Sequence, residues 1–245
     1  MSIHDQNFYF QAAMGIKGMK AVNKFGYGDI ADKAVAETVW ANGGIYDFPT
    51  SAGQVSIASS DVDDDDGDTG ARTVLVQGLD EDYREIEETI TLNGTGTVTS
   101  TSSKWFRVNR MLVASAGTSE GNEGTITATL DSKTVATIPA GKGQTQQAVY
   151  TVPAGRTAYL VSLSAALLKP AATGDYSADI GLHLKKDGVE RTVRELAIVT
   201  TGSTSFLKEF KVPEVITEKT DIFVNIEGTS DDDLKIFANF SVVLL

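Results

Sequence analysis

Apolar and polar residues alternate with a period of two along most of this chain, from about residue 54 to its last residue. Tyr159, Val161, Leu163, Ala165 and Leu167 fall on one side of an extended backbone. So do Ala178, Ile180, Leu182 and Leu184, then Ile222, Val224 and Ile226, and finally Leu234, Ile236, Ala238, Phe240, Val242 and Leu244. Successive side chains of a strand point to opposite faces, so this spacing predicts strands with one side in a core. Shorter runs predict more strands: Gln54–Ser59, Thr73–Leu79, Arg84–Leu92 with Ile86, Ile90 and Leu92 inward, one with Phe106, Val108 and Leu112 on a shared face, and one holding Ile126, Ala128 and Leu130. Turn-forming clusters separate them: Asn93-Gly94, Asp131-Ser132-Lys133, Pro139-Ala140-Gly141, Pro153-Ala154-Gly155 and Lys186-Asp187-Gly188. About a dozen strands at this spacing predict an all-β protein, an antiparallel β-sandwich of jelly-roll-like type. Helical periodicity is absent after residue 42, which argues against Rossmann-like or TIM-like enzymes.

Residues 1–50 read differently. They hold three of the four methionines, the clusters Phe8-Tyr9-Phe10 and Lys24-Phe25-Gly26-Tyr27, and no sustained alternation. Ala34, Ala36 and Glu37 favour one or two helical turns over Asp32–Trp40. The segment reads as an irregular extended arm with aromatic anchors, or as a tail packed on its own domain. The working division is an arm over 1–50 and two sandwich units over 51–143 and 144–245. Lys104–Val135 and Thr157–Val193 share an order of strand, loop, strand, turn, strand, which fits either a duplicated half or generic β punctuation.

Composition narrows the function. The 245 residues include 27 threonines, which suit the solvent side of a pleated sheet, and no cysteine. Without cysteine there is no disulfide framework, thiolate metal site or thiol nucleophile. Twenty-one basic against 33 acidic residues give a net charge of −12, which opposes nucleic-acid binding as the main task and favours solubility. The apolar run Tyr159–Leu168 is roughly half what a helix needs to cross a bilayer. The first residues lack a basic region followed by an apolar one, so folding in a cytosol, without export, is expected.

The candidate chemistry is sparse. Asp61-Val62-Asp63-Asp64-Asp65-Asp66-Gly67-Asp68 places six carboxylates in eight residues, a set of hard oxygens of the kind calcium takes. Aligned as an EF-hand on Gly67, however, it puts Val62 first and Thr73 twelfth, so the expected reading is a solvated hairpin tip that blocks strand stacking. Gly117-Thr118-Ser119-Glu120-Gly121 matches the esterase elbow, but a strand is expected after it where the elbow needs a helix. Only His4 and His183 could serve such a serine, and His183 alternates opposite to Ile180, Leu182 and Leu184, which predicts that it faces outward. Two histidines cannot make a His-based zinc site unaided. Trp40, in the arm, and Trp105, at the head of a strand, are the only tryptophans available for sugar stacking. Asn93-Gly94-Thr95 and Asn239-Phe240-Ser241 are glycosylation sequons, the second inside a strand with Phe240 inward. No catalytic, cofactor-binding or metal-ligating residue is assigned, and no enzyme activity is expected.

Several whole segments carry a resemblance. They are Lys24-Phe25-Gly26-Tyr27, Glu37 through Thr50, Gly70-Ala71-Arg72-Thr73-Val74, Gly78-Leu79-Asp80, Glu88 through Gly94, Phe106-Arg107-Val108-Asn109-Arg110 and Gly143 through Gly155. Over roughly residues 20–165 the chain resembles a family of virion structural proteins of tailed bacteriophages. The resemblance contains no catalytic motif. It implies a particle component that decorates or cements the head or belongs to the neck or tail. Implied partners are other virion subunits and further copies of itself, with no nucleic acid, membrane or cofactor, in a virion assembled in the host cytoplasm. A carbohydrate- or receptor-binding sandwich is the second expectation, and a depolymerase the third.

Overall fold

The computed structural model describes residues 8–30, 35–168, 176–200, 203–229 and 234–245. After a short helix, α1 (Phe8–Ala13), come β1 (Lys20–Ile30), β2 (Glu37–Thr38), β3 (Ser56–Ser59), β4 (Ala71–Asp80), β5 (Glu85–Thr91) and β6 (Val98–Thr99). Next are β7 (Trp105–Ala116), β8 (Ile126–Leu130), β9 (Lys133–Ile138), β10 (Val149–Thr151) and β11 (Ala158–Leu168). The last five are β12 (Tyr176–Lys186), β13 (Val189–Thr200), β14 (Thr204–Ile216), β15 (Asp221–Thr229) and β16 (Leu234–Leu244). Every ladder between them is antiparallel.

Two compact units emerge, and one is discontinuous: Met1–Val39 joins Ala148–Leu245, while Trp40–Gln147 stands as the other. The discontinuous unit is a jelly roll. One sheet runs β1-β16-β11-β14, and the other runs β10-β15-β12-β13 with β2 also on β15. β2 and β10 occupy one strand position in two pieces. Glu37 and Thr38 lie opposite Ile226 and Asn225, and Val149–Thr151 lie opposite Phe223–Asp221. Between the pieces, Val39 N–H donates to Val224 O at 2.8 Å, and Val224 N–H to Ala148 O at 3.1 Å. Ala148 N–H also donates to Val39 O at 2.9 Å. The whole of Trp40–Gln147 is thus an insertion into a single strand.

The predicted alternation lines the jelly-roll core. Leu234, Ile236, Ala238, Phe240, Val242 and Leu244 are all buried there, facing Ala178, Ile180, Leu182, Leu184, Ile222, Val224 and Ile226. β11 departs from its predicted face. Its pairing slips between Leu160 and Ser162, so Leu160 points inward and Val161 points out, beneath Ala12, Ile16 and Met19. One extra residue reverses the side-chain alternation on either side of it.

Among the described residues of the first fifty, Lys20–Ile30 form a strand of the jelly roll where an irregular arm was expected. β1 pairs with β16 from Lys20 opposite Leu244 to Ile30 opposite Leu234. The alternation was hidden because the inward positions are Val22, Lys24, Gly26, Gly28 and Ile30, of which only two are large and apolar. Asp32–Ala34 lie outside the described residues, and Glu37–Thr38 is strand where helical turns were expected, because β15 supplies its hydrogen bonds. Gly26 has a steric reason. A Cβ there would sit 2.0 Å from Val39 O and 2.6 Å from Ala148 N, where the split strand crosses over β1. Gly26→Ala is expected to cost about 2 kcal/mol or more through overpacking, read as a lowered thermal midpoint of the jelly-roll transition.

The inserted unit is a second antiparallel sandwich, with sheets β6-β3-β8-β9 and β5-β4-β7. Val55, Ile57, Val74, Val76, Trp105 and Ile126 fill its core. In β7 the predicted face fails halfway. Val108 pairs with Gly78 and Arg110 with Gln77, leaving Asn109 as a bulge, so Met111 rather than Leu112 is buried beyond it. Three aromatic residues from the end of the segment read as an arm close this unit. Trp40 packs edge-on against Tyr46 with centroids 4.9 Å apart, and Tyr46 against Phe48 at 4.8 Å. Tyr46 O–H donates to Val135 O, and Arg107 lies over Phe48 while donating to Pro49 O at 2.9 Å.

Candidate assembly interface

The acidic run is a surface loop organised around one buried member. Asp64 is fully buried, and its carboxylate accepts from Ser59 Oγ at 2.5 Å, Ala71 N–H at 2.8 Å, Glu123 N–H at 2.9 Å and Gly124 N–H at 3.0 Å. It ties the loop before β4 to the loop before β8. Nothing in the sequence separates Asp64 from its neighbours, since the donors come from residues up to sixty positions away. Asp63, exposed, has its carboxyl held above the usual carboxylate range by local desolvation and then by Asp61, Asp68, Glu123 and Asp64. Among the described residues no three His, Asp or Glu side chains converge as metal ligands.

The elbow-like segment lies between β7 and β8. Ser119 Oγ donates to Glu123, Ser119 N–H to Thr69 O, and a strand follows. His4 lies outside the described residues. His183 occupies the face opposite the core, as its alternation requires, yet it is buried and not solvent-facing. Its ring stacks on Phe223 with centroids 5.3 Å apart; Glu227 stands 2.9 Å from Nε2 and Glu190 3.3 Å from Nδ1. Trp40 and Trp105 are both buried, so neither presents a stacking surface for a sugar. Asn93 and Asn239 are exposed, the latter donating to Ser164 Oγ at 3.1 Å, and Phe240 is buried as expected.

The surface with the clearest binding character was not singled out by sequence. β13 and β14 are edge strands of the two jelly-roll sheets. Arg194 spans them, pairing with Glu214 at 3.1 Å while lying over Phe210 at 4.9 Å. Of the thirteen exposed large apolar side chains among the described residues, six belong to these two strands: Val189, Val199, Phe206, Leu207, Val212 and Val215. By register Val189 and Phe206 lie on the inward faces of their sheets, and Val199, Leu207 and Val215 on the outward faces. Strand addition along all of β14 is blocked. Leu160 lies opposite Glu214 and Ser162 opposite Glu209, so 210–213 form a bulge that includes Pro213. Partners therefore meet the side chains of this edge more readily than its backbone.

Charge is sorted by face. Opposite residues of an antiparallel pair share a face. Lys208 and Phe206 lie opposite Leu163 and Ala165, and Arg191 and Arg194 opposite Leu184 and Leu182, so all four point toward the sandwich interior. Glu190, Glu195 and Glu209 point outward, opposite Lys185, Gly181 and Ser162. Glu214, opposite Leu160, also points inward and pairs with Arg194, so this groove sets Arg191, Arg194 and Lys208 against one carboxylate in a chain of net charge −12.

No family model matches the chain, and no curated protein matches it. Among solved structures it is similar to a cryo-EM structure of Broad Bean Stain Virus, at 12% identity over 82% of this chain and 88% of that one, TM-score 0.23. It is also similar to the structure of the infectious bursal disease virus Gx strain, at 15% identity over 92% and 71%, TM-score 0.27. The VP2 subviral particle of infectious bursal disease virus gives 11% identity over 92% and 71%, TM-score 0.24. Superposition this weak carries no weight for function, which rests on the chain's own surface.

Proposed function

We propose that this chain is a structural subunit of a virus particle, of the tailed-phage kind its segments resemble, and that it holds neighbouring subunits through the β13–β14 side of its jelly roll. The observation that carries this reading is the gathering of six exposed apolar side chains on two adjoining edge strands. On this reading the protein acts by binding, without catalysis, and resides in virions put together in the host cytoplasm. The absence of cysteine suits that compartment.

The test is a double substitution, Leu207→Asp with Val212→Asp. These side chains are 66% and 82% exposed, so the folded state should change by no more than about 0.5 kcal/mol for each. Recovery of the protein in particles purified from infected cells is expected to fall at least about tenfold, the loss of roughly 1.4 kcal/mol of docking energy. Unchanged recovery would overturn the interface. Saturable binding of a glycan by the isolated protein, with no association with particles, would overturn the subunit reading itself.

A further inference from the structure

Resting on the particle-subunit reading, we infer that the basic groove between β13 and β14 receives the acidic loop Asp61–Asp68 of a second copy of this chain, head to tail. The groove widens into a cavity of about 190 Å³ lined by Leu184, Lys186, Val189, Arg191, Val215 and Ile216. Sites for drug-sized ligands run to roughly 300–1,000 Å³. This space suits one aliphatic side chain, with cations at its mouth to meet flanking carboxylates. The acidic loop offers that combination. Val62 is 64% exposed between Asp61 and Asp63, and Asp63, Asp66 and Asp68 are exposed around it.

The energetics favour the same pairing. Two chains of net charge −12 repel, so copies can approach only where opposite charges meet. Lys186 and Arg191 are the cations that line the cavity, with Lys208 eight residues before Ile216 along β14, and the loop provides the densest anions of the inserted unit. Local desolvation, and after it the neighbouring carboxylates, hold a proton more tightly on Asp63, and those cations would offset the second of these effects. The two patches differ, so the contact is heterologous and propagates into rings or chains, as a particle lattice requires.

The experiment compares the full-length chain with two charge-reversed forms, Arg191→Glu/Lys208→Glu and Asp63→Lys/Asp66→Lys, by sedimentation velocity. All four side chains are exposed, and unchanged melting curves confirm folding. The unmodified chain is expected to self-associate at about 50 mM salt and to weaken at least about tenfold at about 500 mM. Each reversed form alone should be monomeric, and an equimolar mixture should associate again, through the intact loop in the intact groove and through the lysine-bearing loop in the glutamate-bearing groove. Asp63→Lys/Asp66→Lys lowers the net charge from −12 to −12 + 4 = −8. General repulsion therefore predicts tighter association of that form, and the inference predicts its loss. Association by Asp63→Lys/Asp66→Lys as strong as that of the unmodified chain, or an unmodified chain monomeric at about 0.5 mM in low salt, would overturn the inference. Normal particle recovery of both reversed forms would likewise overturn the loop-in-groove contact while leaving the subunit reading intact; absence of the unmodified chain from particles would overturn that reading.

Discussion

Deleting residues 1–30 is expected to abolish cooperative folding of the jelly roll. The deletion removes β1 and leaves β16, the most regular apolar strand in the chain, with an open edge from Leu234 to Leu244. Its inner side chains, Phe240 and Ile236 among them, lose the cover of Val22 and Ile30. The lost ladder and burial are comparable with the entire stability of a domain, about 5–15 kcal/mol. Deleting only 1–18 removes α1 and the small patch that Ala12 and Ile16 form over Val161 and Val243. That shorter truncation should keep a cooperative melt. Far-UV circular dichroism on heating separates the two cases, and a cooperative jelly-roll transition surviving in the longer deletion would show that β1 is dispensable.

Asp64→Ala is expected to destabilise the inserted unit by about 3–5 kcal/mol, the scale seen when one partner of a buried charged network is removed. The substitution leaves a hydroxyl and three backbone N–H groups buried and without their acceptor. Asp63→Ala and Asp66→Ala, at exposed positions of the same run, should shift the midpoint by no more than about 0.5 kcal/mol. Chemical denaturation of the isolated segment 40–147 provides the measurement. Equal effects at all three positions would mean that the loop is stabilised by its collective charge and not by Asp64.

These contrasts mark what was legible in the chain. Where apolar residues alternate without interruption, as in β16 and β12, both the strand and its inward face could be read. Where one residue bulges, at Val161 or Asn109, the strand was legible but its inward face on only one side of the bulge, because a pattern of period two carries no sign of an inserted residue. β1 was missed because glycine and lysine fill its inward positions: Gly26 yields to the crossing strand, and apolar spacing cannot register such a demand. The discontinuity at Val39 and Ala148 leaves no mark at all, since the two half-strands are too short to show a period. Among site residues, the outward side of His183 followed from alternation, but its burial under Phe223 and two glutamates did not. Of the exposed edges, β13 was read only as far as Val193 and β14 was not read as a strand. Their significance lies in solvent exposure, which depends on which strand ends each sheet.

The split strand also bears on how quickly the molecule can assemble. The jelly roll must join half-strands separated by all of Trp40–Gln147, and closing so long a loop in a disordered chain is entropically slow. Once the insertion has folded, Trp40 bridges to Gln147 and Ala41 N–H donates to Gln146 O, so its two ends are already side by side. The insertion then acts as a staple that shortens the path between Val39 and Ala148, giving an order of events in which the inner unit completes first and templates the outer one. Slower refolding of the jelly roll in the Asp64→Ala protein, with its unfolding rate unaltered, is the kinetic signature this coupling should leave.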